Sequence, residues 1–182
     1  MDPVLPHLAV NADGTLAGGA DVAGLHPGVA RVATALAGLG VAGQVRELPD
    51  RAATAAAAAE LLGVEVGAIA NSLVFDADGE PLLVLTSGAH RADTMALAGI
   101  VDAHQVRKAS ADFVRSATGQ PIGGVAPVGH PRPLRTLVDV DLARYDVVWA
   151  AGGHPHFVFP TTYDELLRIT AGEAAEVGEQ PE

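Results

Sequence analysis

At 182 residues with a formal net charge of −11, the chain is long enough for one domain with its own core, and too acidic for non-specific nucleic-acid binding, which depends on neutralising phosphates. Apolar residues make up 49% and aromatics only 4%, so the core must be built mainly from Val, Leu and Ala. The absence of cysteine excludes disulfides, a thiol nucleophile and a thiolate metal site.

No run of eighteen apolar residues offers a membrane span, and MDPVLPHLAV lacks the basic flank and apolar stretch of a signal peptide. The expectation is a cytoplasmic protein with neither a membrane nor DNA as partner. In chain order, NADGTLAGGADVAG reads as a hairpin or loop. His26-Pro27 opens a helix in which Val29, Val32, Ala33 and Leu36 keep the helical spacing, with Gly40 at its end. GQVRELP predicts a strand. Thr54 caps a helix, AAAAAELL, that stops at Gly63. NSLVF and PLLVLT then form a hairpin around Asp78-Gly79.

A short helix is expected over 93–98, HQVRKA as a strand, and a helix from the cap Ser110 to near Gly119. LRTLVDV, YDVVWAAGG and HFVF read as strands. Thr162 and Glu165 have the capping-box spacing that starts a last helix, ending near Gly172. EAAEVGEQPE reads as a disordered acidic tail. Short strands mixed with short helices, without a βαβ rhythm, predict an α+β fold.

Between the Ser110 helix and LRTLVDV lies GQPIGGVAPVGHP, with four glycines and three prolines. It serves either as structural punctuation or as a pocket of backbone N–H groups that glycine lets approach a ligand. It lacks the Gly-Lys-Ser/Thr ending of a P-loop and the dinucleotide glycine spacing, and the chain has no Gly-x-Ser-x-Gly elbow. His154 and His156, two apart, with His130 as a third ligand, compose a metal-dependent hydrolase reading; alternatively these rings line a pocket or are simply exposed. Arg107, Lys108, Arg115, Arg132 and Arg135 against one acid, Asp112, form a local basic cluster: an anion-attracting patch, or ordinary surface charge.

The ordered series HPGVARVATALAGLG, ELLGV, IANSLVF, LLVLTSGAHRAD, VRKASADFVRSATGQPIGGVAPVGHP, LVDVDLARYDVVWAAGG and FPTTYDELLRIT resembles the YbaK/prolyl-tRNA-synthetase-associated domain family. The resemblance divides the chain into an extension over 1–24, an editing domain over 25–170 and the acidic tail over 171–182. It implies a single-domain, mixed barrel-like sheet with helices around it, and hydrolysis of the ester joining a wrong amino acid to tRNA, especially tRNA for proline. No cofactor and no metal is expected on this reading.

The resemblance places the loop Gly123–Pro127 at the aminoacyl ester. Fixed amides there would stabilise charge on the carbonyl oxygen. The catalytic residues so implied are Asn71, Gly124 and Pro127. Gly123, Val125, Ala126, His130, Gly152, Gly153 and His154 are the expected substrate contacts, and Lys108, Arg132 and Arg135 the expected contacts to the tRNA acceptor end. Help from the free hydroxyl of the terminal ribose is implied too. The chain departs from the family at Asn71, where relatives carry lysine: either hydrogen bonding suffices, or the protein binds without cleaving efficiently. His90 and Arg91 are candidates to restore that charge. Asp139 matches a family acid and either orients a pocket group or bonds the backbone. A second departure is GGHPHFVF, where His154 and His156 would shape the amino-acid side.

Overall fold

The computed structural model describes residues 7–8, 26–50, 52 and 54–179; the NADGTLAGGADVAG expectation lies outside them. The sheet is organised by one long hairpin. β3 (Ile69–Ala77) and β4 (Glu80–Ser87) pair antiparallel from Ala70↔Ser87 to Ala77↔Glu80. Asp78 and Gly79 take positive φ of 52° and 91° at the turn, which matches the right-handed twist of the strands. β7 (Arg135–Asp139) adds parallel to β4. β10 (Glu173–Ala175) adds parallel to β7.

On the other edge of β3 two strands share the space. β6 (Val106–Lys108) pairs antiparallel with Phe75, Asp76 and Ala77, and β8 (Val148–Ala151) pairs parallel with Ile69 and Ala70. β9 (Phe157–Thr161), β2 (Val45–Glu47) and β1 (His7–Leu8) continue outward from β8. A separate ribbon joins β5 (Arg91–Ala92) to β11 (Gly178–Glu179).

Helices cover both faces. α1 (Pro27–Gly38), α4 (Ala111–Thr118) and α5 (Tyr163–Thr170) pack on one face through Val29, Val32, Leu36, Val114, Leu166 and Ile169. α2 (Ala55–Leu62) and α3 (Thr94–Val101) pack through Ala58, Ala59 and Leu97. This explains the unbroken apolar run in β4: Leu83 and Leu85 enter the first core while Leu82 and Val84 enter the opposite one. The result is the expected single-domain α+β arrangement of a mixed sheet and surrounding helices.

The caps follow the sequence. Thr54, Ser110 and Thr162 each accept from the amide three residues on, at 3.1 Å. α3 runs past 98 to Val101 because Asp102 takes the left-handed conformation (φ 55°) that usually needs glycine. The acidic tail is a correction. Residues 173–175 and 178–179 are strands, Val177 is fully buried, and only 180–182 lie outside the described residues. Charge count concealed two apolar residues, Ala175 and Val177, that bury against Leu137 and Val84.

Candidate functional site

Between the pairs Ala70↔Ala150 and Phe75↔Lys108, the edge of β3 from Asn71 to Val74 has no strand beside it among the described residues. The two strands that share this edge diverge, and a cleft of about 360 Å³ opens in the gap. Lys108 and Ala109, Ile122 and Val114 form its walls. A smaller pocket of about 40 Å³ continues from it toward Ile69, Trp149, Pro155 and Phe157. Thr54, Ala55, Asn71, Ser72, Gly123 and Val125 line both spaces and so stand at their junction.

The loop reaches this junction through a tight turn. Gly124 N–H donates to the Pro121 carbonyl at 3.0 Å, and Gly123 takes φ 84° at the third turn position, where glycine carries no steric penalty. Ile122, second in the turn, is left 57% exposed at the cleft mouth. Gln120, almost fully buried, clamps the loop from within. Its Oε1 accepts from Ala126 N at 2.7 Å and its Nε2 donates to the Val128 carbonyl at 3.2 Å.

A Cβ on Gly124 would lie 2.7 Å from His154 Cα and 2.8 Å from Pro155 Cδ, so this glycine serves the close approach of two loops. Gly153 (φ 98°) makes the same kind of contact with Gly28 at the start of α1. The Gly152 amide donates to the Phe157 carbonyl at 2.7 Å. Together these contacts fix Pro155 and Phe157 in the wall of the small pocket.

Several expected site residues therefore fall elsewhere. The Gly124 amide is already committed to Pro121, and the Ala126 amide to Gln120; among the described residues, the Gly123 and Val125 amides have no hydrogen-bond partner. Pro127 and His130 open onto a different cleft of about 220 Å³, together with Arg132. His130 Nε2 donates to the Ala126 carbonyl at 2.8 Å, and burial pushes its pKa below the ordinary value, against the raising effect of that bond. Gly152, Gly153 and His154 support the small pocket from behind and do not line it. Asn71 and Val125 line both spaces, and the Asn71 side-chain amide has no protein hydrogen-bond partner among the described residues.

His130 does not join His154 and His156. The His154 ring instead lies between His26 and His156, with centroids 4.9 and 5.5 Å away. Nδ1 of His26 accepts from Gly28 N and Nδ1 of His154 from His156 N, so backbone amides occupy those nitrogens. Among the described residues no three His, Cys, Asp or Glu side chains are grouped to hold a metal ion.

His90 is likewise sequestered. Its Nδ1 lies 2.8 Å from Asp139 and its Nε2 2.7 Å from Asp141. Asp139 also accepts from Ser87 N and Asp141 N, each at 3.0 Å, so this buried acid ties the end of β4 to β7 and lies away from the cleft. Arg91 belongs to the β5 ribbon. Of the three expected tRNA contacts, Arg135 donates to the Val101 carbonyl and faces Glu173 at 3.5 Å, and Arg132 lines the His130 cleft. Lys108 lines the main cleft and has no ion pair among the described residues.

Sequence reading passed over Thr54, Ser72 and Trp149 as site residues. Ser72 carried a signal: a polar residue inside an apolar strand, whose Oγ is buried without any hydrogen-bond partner.

Comparison with known proteins gives the site its context. Residues 50–169 match the model of the aminoacyl-tRNA editing domain. A proline–tRNA ligase of Maridesulfovibrio salexigens is 34% identical over 95 residues, covering 52% of this chain and 16% of the ligase, so the chain spans only a small part of that relative. YwhH of Bacillus subtilis is 30% identical over 126 residues, covering 69% of this chain and 80% of YwhH. A crystal structure described as a candidate trans-editing enzyme for prolyl tRNA synthetase superposes with a TM-score of 0.80 at 42% identity, over 85% of this chain and 99% of the other.

Proposed function

This chain belongs to the aminoacyl-tRNA editing domain family, and we propose that it acts in trans as a deacylase of tRNA carrying a small wrong amino acid, with tRNA for proline as the carrier. The observation that carries this reading is the two-chambered cleft. Its larger space suits the terminal adenosine, its 40 Å³ pocket a short side chain, and the ester would then lie at the junction. A small pocket rejects large side chains by volume but separates small ones weakly, which is the task left to editing.

At the junction the free amides of Gly123 and Val125 are the donors for the carbonyl oxygen. Water attacks the carbonyl carbon, negative charge collects on that oxygen, and fixed amides stabilise it without reorganising. The C–O bond to the ribose then breaks, and the ribose oxygen takes up a proton. Among the described residues no Asp, Glu or His lines either chamber, and on this reading the proton transfers fall to water and the substrate's own ribose hydroxyl. Asn71 orients the ester end by hydrogen bonds, and Lys108 supplies the cation at the rim.

The neutral Asn71 favours a second reading, a module that binds the tRNA end and cleaves it poorly. Incubation with a panel of tRNAs charged with alanine, serine, cysteine or proline, with and without chelator, separates the two. Release of a small amino acid, indifferent to chelator and reduced about tenfold or more by Asn71→Ala, is the expected result. Binding without release from any substrate, with activity appearing in Asn71→Lys, would establish the module instead.

A further inference from the structure

Ser72 sits in the middle of the open edge of β3, and the direction of its main-chain groups follows from its neighbours. The Ile69 carbonyl accepts from Gly88 N on the β4 side, while Asp78 N donates to the Gln105 carbonyl on the β6 side. Backbone polarity alternates along a strand, so odd-numbered residues serve β4 and even-numbered ones the opposite edge. At Ala70 that edge meets β8, and at Asp76 it meets β6. At Ser72 it meets no strand among the described residues, so its N–H and C=O are directed into the cleft junction that Ser72 lines. Its Oγ, on the same residue, is buried and has no hydrogen-bond partner. A buried hydroxyl in that state is destabilising unless something else supplies the bond.

The junction has two unlike sides. The loop side offers only the amide donors of Gly123 and Val125; the strand side offers the Ser72 carbonyl and hydroxyl oxygens as acceptors beside the Ser72 N–H, with no carboxylate among the described lining residues. An aminoacyl ester carries its carbonyl oxygen, an acceptor, one carbon away from an α-amino group, a donor. Resting on the deacylase reading above, we propose that Ser72 is a specificity-determining residue that accepts hydrogen bonds from the substrate's α-amino group, so that a free amino group is required for tight binding. The ester carbonyl faces the loop amides, and the amino nitrogen faces the strand edge.

The test measures binding, so it does not depend on turnover. Calorimetry is performed on the full chain with two non-hydrolysable probes, 3′-deoxy-3′-(L-alanylamino)adenosine and its 3′-propionylamino counterpart, which differ only in the amino group. Wild-type protein is expected to bind the alanyl probe about tenfold more tightly, the factor one good hydrogen-bonding interaction supplies. Ser72→Ala should reduce that preference to about threefold or less, with the carbonyl remaining. Because its hydroxyl has no protein partner and its unpaired burial is destabilising, the variant should match or exceed the wild-type Tm, which separates lost recognition from lost folding. Equal affinity for the two probes overturns the proposal and leaves the deacylase reading standing, as does an undiminished preference in Ser72→Ala. Failure to bind either probe overturns both.

Discussion

His130 holds its Nε2–H on the Ala126 carbonyl, in surroundings that strip water from the ring and push its pKa below the ordinary 6.5. The folded ring therefore takes up a proton less readily than the unfolded one. Stability from this group is complete above the ordinary value and is lost as pH falls through 6.5 toward the lowered folded pKa. Replacing His130 with Gln keeps a donor for the carbonyl and removes the titration. Thermal unfolding followed from pH 8 to pH 5.5 should show a smaller drop in Tm for the variant than for wild type; parallel curves would remove His130 as the source. The sequence displayed this histidine beside a glycine-rich loop and suggested a ligand contact. Its backbone bond and its burial, both consequences of how α1 and the loop pack, make it a structural group instead. Asp139 shows the reverse case: a strand-end acid bonding the backbone was one of its two sequence readings, and the structure adds His90 as its partner.

At the level of elements, the loop over 119–131 is set by contacts that no local pattern contains. Gly124 is required because His154 and Pro155 pass within 2.8 Å of where a Cβ would be. Gly124→Ala must push the two loops apart, at a cost of about 1–3 kcal/mol typical of overpacking, and the small pocket should open with it. A chemical-denaturation midpoint matching wild type would contradict this contact. The helix caps were legible because Ser and Thr act on amides within their own turn. Even there the structure departs in detail: the Glu165 carboxylate accepts from the Thr161 hydroxyl at 2.7 Å and does not reach back to Thr162. The strands of the tail are not legible in its own residues because β10 depends on a partner, β7, that is more than thirty residues distant in the chain. Truncation after Gly172 removes β10, β11 and buried Val177, and should lower stability by about 2 kcal/mol or more, as read from denaturant titration.

Across the whole molecule, the proposed function asks an acidic protein to accept a polyanion at a cleft with little local cation. Lys108 at the cleft rim, with no ion pair among the described residues, is placed to oppose the net charge of −11. Lys108→Gln should weaken tRNA binding similarly for every tRNA and reduce the slope of log Kd against log salt by about 1. Arg135→Gln should do less, since Glu173 already offsets that charge. An unchanged salt slope in the Lys108 variant would place the tRNA elsewhere. The sequence by itself determined the helices, their caps, the β3–β4 hairpin and the family to which the chain belongs, because these depend on residues close together or on an ordered series of motifs. Tertiary structure alone decided where the cleft lies. The gap between β6 and β8, the commitment of the Gly124 amide to Pro121 and the exposure of the Ser72 edge arise from strand pairings and loop contacts far apart in the chain, and free backbone groups leave no mark on residue type.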